Sequence, residues 1–92
     1  MLTYYYNTNV IGESFDDTVL VIDPVDSEAL VITGVGADIW GFYQTGEKLS
    51  IQDVVDKISK LYGFLDRQQE KEISDFITDL ANRNIIVEVK DI

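Results

Sequence analysis

Ninety-two residues with 17 acidic against 7 basic side chains, and with neither cysteine nor histidine, close off several kinds of protein at once. Disulfides, thiolate metal sites and a cysteine nucleophile are excluded, and the commonest general base and metal ligand are missing too. A net charge of −10 repels phosphate backbones and makes nucleic acid a poor partner, whereas a cationic peptide or an enzyme's basic patch would be attracted.

The chain opens with three tyrosines, Tyr4, Tyr5 and Tyr6, and residues 2–7 read as an edge strand because tyrosine suits a pleated surface. Val10 and Ile11 are a second candidate for pairing with a sheet, and residues 12–17 read as a loop. Thr18–Ile22 (TVLVI) is β-branched and apolar throughout, a clear strand. Asp23, Pro24, Val25, Asp26 and Ser27 follow with turn chemistry. A second strand at residues 28–32 then makes an antiparallel hairpin the expectation.

Residues 27–46 are the centre of the arrangement, a strand running almost directly into an aromatic helix with Ile39, Trp40, Phe42 and Tyr43. That first helix is expected over Val35–Gln44, ending before Gly46, a residue suited to a left-handed cap. The second begins at Ser50, with Asp53 three residues on. Its apolar residues Ile51, Val54, Val55, Ile58, Leu61 and Tyr62 fall on one stripe, and Gly63 ends it. The third begins at Asp66 with Gln69 completing a capping box, and Ile73, Phe76, Ile77 and Leu80 are expected to form its buried stripe. Ile85, Ile86 and Val87 make a terminal strand or wing.

The expected architecture is therefore α+β: a winged helix-turn-helix core of three helices with a preceding three-stranded antiparallel β-sheet. One domain over residues 1–92 fits the length, which buries roughly 60–65% of the unfolded chain's surface. No apolar run approaches the ~20 residues that span a bilayer, and no signal-peptide pattern opens the chain, so the expectation is a soluble, cytoplasmic protein without a membrane partner.

Winged helices raise DNA binding first. Here the third helix sets Asp66, Glu70, Glu72, Asp75 and Asp79 against Arg67, Lys71 and Arg83. Its net negative charge is wrong for a helix entering the major groove. Asp26-Ser27 has the look of a phosphopantetheine attachment site, but Glu28 and a β-type run follow where a helix is needed. Asp16-Asp17 and the Glu70/Glu72 pair have no metal or acid/base spacing and read as solvated residues. What remains is the hairpin strand: with one flank unpaired it offers backbone groups to which an extended peptide adds as a further strand. The residues leave open whether the N-terminal strand covers that edge.

The run Val31-Ile32-Thr33-Gly34-Val35-Gly36-Ala37-Asp38-Ile39-Trp40, then Gly46, Leu49 to Val55, Leu61-Tyr62, and Ile73 to Leu80 before Ile85-Ile86, resembles the PqqD family of peptide chaperones, also called RiPP recognition elements. The likeness runs from about Thr18 to Val87 and lies in apolar positions and glycines. Thr33-Gly34 departs from the asparagine that often precedes the family's first helix, a difference in capping. As a free-standing chain it is most similar to the leader-binding proteins of lasso-peptide biosynthesis.

That resemblance implies a non-enzymatic, cofactor-free protein of antibiotic biosynthesis. It would bind the leader of a ribosomally made precursor peptide and present it to a maturation enzyme, a leader protease followed by a cyclase. Glu28, Ala29, Leu30, Val31 and Ile32 would supply the backbone ladder, with Gln69, Glu72, Ile73, Phe76 and Asp79 as the helical wall. Leader Tyr and Pro side chains would sit near Leu30, Ile32 and Phe76, while Ile73, Ile77 and Leu80 lean toward the core. Monomer and swapped dimer both stay open. An acidic winged-helix module for another protein or DNA, and a carrier modified at Ser27, are the alternatives.

Overall fold

The computed structural model describes residues 2–23 and 28–89, so most of the expected turn, including Ser27, lies outside the described residues. The elements run β1 (Thr3–Tyr6), β2 (Ile11–Phe15), β3 (Thr18–Ile22), β4 (Ala29–Thr33), α1 (Val35–Gln44), α2 (Ile51–Tyr62), α3 (Arg67–Asn82) and β5 (Ile86–Val89). They form a three-stranded antiparallel sheet in the order β2-β3-β4 and a two-stranded wing of β1 with β5. The expected α+β architecture holds.

Local chemistry explains the helix boundaries. Ser50 and Asp53 bond each other's backbone at the start of α2, and Asp66 and Gln69 do the same at the start of α3. Both capping boxes satisfy donors that a helix otherwise leaves unpaired, each worth about 1 kcal/mol. Gly46 takes φ 91°, the left-handed position that ends the α1 segment. No side chain caps α1, whose N-cap is Gly34.

The inner face of the sheet rests on the helices. In register, Gly12 faces Val21 and Leu30, and Ser14 faces Val19 and Ile32. Val19, Val21 and Ile32 are buried against a core that includes Ile39, Trp40 and Tyr43 of α1, Val54 and Ile58 of α2, and Ile73, Ile77 and Leu80 of α3. The Tyr43 hydroxyl donates to the Leu49 carbonyl at 3.2 Å, and burial holds that phenol well above its usual pKa.

One expectation changes, and one open question is answered. Residues 12–17 are no loop: β2 continues to Phe15, and Asp16, at φ 53°, and Asp17 make the two-residue turn into β3. Weak strand propensity at Gly12 has a tertiary cause, because a Cβ there would lie 2.9 Å from the Trp40 Nε1 atom. The tyrosine strand joins neither the hairpin nor its edge. It pairs with β5, and Tyr4 exchanges both backbone bonds with Leu49 at 2.9 Å each.

Gly12→Ala is therefore expected to destabilise the fold by about 1–3 kcal/mol, since the indole is rigid and fully enclosed. Chemical denaturation checks this, and a midpoint equal to that of the parent protein would show that Trp40 has room to move.

Candidate peptide-binding site

The backbone of β4 decides what its open flank can do. Asp23 donates its N–H to the Glu28 carbonyl at 3.2 Å, one pair beyond the β3–β4 register. In an antiparallel ladder hydrogen-bonded pairs alternate, so Val21–Leu30 and Val19–Ile32 are bonded and the pairs between them are not. Glu28, Leu30 and Ile32 thus direct their backbone groups at β3. Ala29, Val31 and Thr33 direct theirs outward, where no strand lies among the described residues.

Beside that flank runs a cleft of about 450 Å³, bounded by β4, the start of α1, the end of α2 and one face of α3. Of the ten residues expected in the site, Leu30, Val31, Ile32, Gln69, Glu72, Ile73, Phe76 and Asp79 line it. Helical spacing explains the α3 set, because 69, 72, 73, 76 and 79 recur on one face. Glu28 and Ala29 do not reach it. They border a smaller cleft of about 140 Å³ beside Asn82, Arg83, Asn84 and Ile85. Within the expected ladder of residues 28–32 the pleat turns alternate backbone groups outward, those of Ala29 and Val31, and those of Glu28, Leu30 and Ile32 toward β3.

Sequence reasoning missed Thr33, Val35, Gly36, Ile39, Ile58, Tyr62 and Leu65, which complete the lining. Only Gly34 separates β4 from α1, so the first turn of that helix has to border the edge; that spacing was the available signal. Tyr62, assigned to the apolar stripe of α2, is exposed instead, as is Leu61. Its hydroxyl donates to the Asp38 carboxylate, tying α2 to α1 at the cleft, and this bond raises the phenol's pKa.

Phe76 and Gly36 set the shape. Phe76 is half-buried, unlike its stripe neighbours Ile73, Ile77 and Leu80, which are buried. A Cβ on Gly36 would come within 2.8 Å of Ile32 Cγ2 and 3.1 Å of Phe76 Cζ. The missing side chain therefore lets the ring and the strand close on each other at the floor. Among the described residues, charge in the lining is acidic only: Glu72, and Asp79 paired with Arg83 at 3.0 Å. Among the described residues no three His, Cys, Asp or Glu side chains gather as a metal-ligand set.

An open sheet edge beside an apolar cleft, on a small winged α+β scaffold, defines the class. The family model described as Coenzyme PQQ synthesis protein D (PqqD) matches residues 18–86, and the chain belongs to this family. Its fold is similar to that of a solved structure described as TbiB1 in complex with the TbiA(beta) leader peptide. The two align with a TM-score of 0.79 and 23% identity over 95% of this chain and 99% of the other. No curated protein sequence matches.

Two substitutions in neighbouring residues separate edge from ladder. Val31→Pro removes an outward N–H and should leave the fold standing while weakening an added peptide about tenfold or more. Ile32→Pro removes a bond to β3 and a buried side chain, and should unfold the protein. Thermal melts alongside peptide titration read both, and an unfolded Val31→Pro would reverse the assigned parity. Gly36→Ala should push the Phe76 ring into the cleft and weaken the same peptide roughly threefold to tenfold, with about 1 kcal/mol lost in stability. A crystal structure of that variant with the ring unmoved would contradict the account of the floor.

Proposed function

We propose that this chain, as a single domain over residues 1–92, is a non-catalytic peptide chaperone. It binds the leader of a ribosomally made precursor by strand addition and hands it to a maturation enzyme. The observation that carries the reading is the free flank of β4 lying against the cleft walled by Phe76. Ala29, Val31 and Thr33 each offer a donor and an acceptor to a leader backbone, which supplies affinity without regard to sequence. The apolar cleft takes the side chains that point inward, Tyr and Pro in leaders of the lasso type, and supplies the selectivity.

Membership of the PqqD family supports this reading, as does the neighbour whose structure is described with a leader peptide bound. The partners are the leader and then a protease and cyclase, with nucleic acid disfavoured by the acidic face of α3. The proposed chaperone works in the cytoplasm; no helix among the described residues is long and apolar enough to cross a membrane.

Among the described residues the cleft lining holds no lysine or arginine. Leader affinity, measured by fluorescence polarisation with a labelled precursor leader, should therefore change less than roughly threefold between about 0.05 and 0.5 M salt. A steep loss would mean that charge, and not the strand ladder, holds the peptide. Absence of saturable binding would sink the proposal.

A further inference from the structure

The outer face of the β2-β3-β4 sheet does not look like a surface left to water. An antiparallel sheet with one covered face normally carries polar side chains on the other. Here the register brings Ile11, Phe15, Leu20, Ile22 and Val31 to that second face. Ile11, Phe15 and Val31 are 55%, 58% and 62% exposed. Apolar side chains gathered across three strands form a patch of the kind that marks a protein interface.

Its border is acidic. Asp16 and Asp17 stand at one end of the sheet, Asp23 and Glu28 at the other, and Glu13 lies opposite Leu20. No lysine or arginine occurs in the first 47 residues. Two copies of this face would set acidic borders against each other, so the charge argues against self-association through it. It complements an apolar patch ringed with lysine and arginine.

The face is also continuous with the peptide edge. Val31 turns its backbone groups to the open flank and its side chain to the outer face. A leader added beside β4 would extend the sheet, and its alternate side chains would extend this same face. We infer that the outer face, enlarged by the bound leader, is the docking surface for the maturation enzyme, which meets it with an apolar patch rimmed by basic residues. This rests on the proposed leader-binding function, and it gives the enzyme a way to favour loaded chaperone: part of the surface exists only when the leader is in place.

The test uses the full chain with a precursor leader that it binds and a leader protease that cleaves that precursor. In Ile11→Lys/Phe15→Lys the changes lie away from both cleft and core. Leader affinity should stay within about twofold of wild type, while the protease's KM for the loaded complex rises by about tenfold or more with kcat little changed. If the lysine pair fails to fold, Ile11→Thr/Phe15→Thr, polar but compatible with a strand, carries the same expectation. Wild-type KM should also rise with salt although leader affinity does not. Wild-type delivery by a folded, leader-binding variant overturns the inference. So does a wild-type dimer in sedimentation that the substitutions convert to monomer, which would make a second copy the occupant. Failure of the wild-type chain to bind leader at all removes the parent reading instead, and this surface's assignment with it.

Discussion

The fold depends on where the tyrosine strand is held. β1 lies between β5 on one side and Leu49 on the other, with Tyr4 bonded to Leu49 in both directions at 2.9 Å and Asn7 N–H bonded to the Ile85 carbonyl at 2.9 Å. Both flanks of that strand are thereby engaged far from β4. A chain this short has few strands with which to cover an edge, and the one that precedes the hairpin sheet is committed to the wing. The flank of β4 is open because of that commitment, and the cleft beside it follows.

An open strand edge is ordinarily a hazard, since it templates pairing with any extended chain. Here β4 is only five residues long and the molecule carries a net charge of −10, so copies repel before their edges meet. The wall opposite restricts what can enter further. Phe76 and Ile32 close over the bare Cα of Gly36 to form the floor, and the Tyr62–Asp38 bond fixes α2 against α1 at the border. Backbone pairing alone is indiscriminate; pairing beside a shaped apolar cleft selects.

How much of this was written in the sequence depends on how far its causes reach. Helix starts are local: Ser50 with Asp53, and Asp66 with Gln69, sit three residues apart and announce themselves. The five α3 residues of the cleft were reached through the family resemblance, and helical spacing explains why they share a face. β2 was not. Its inward positions are Gly12 and Ser14, and Gly12 is small because Trp40, far along the chain, fills the space above it. Propensity reads such a segment as loop; only the tertiary contact makes it a strand. Val35 and Gly36 were signalled by the single residue between β4 and α1, whereas the contributions of Ile58, Tyr62 and Leu65 were hidden, since they depend on how α2 and the segment after it lie beside β4.

The placement of β2 has a further consequence for how the molecule works. Had residues 12–17 been loop, β3 would carry one edge and the outer face would be two strands wide. With β2 in place, β3 has partners on both sides, and the single residue Val31 stands where core-backed sheet, open flank and apolar outer face meet. Every inward side chain of β3 and β4 seats the sheet on the helices, the outward backbone groups of β4 meet no strand among the described residues, and the outward side chains point to the opposite face. Period-two alternation alone separates these three roles. A shift of one residue in the β3–β4 pairing would exchange them all, and the buried Val19, Val21 and Ile32 hold that register in place.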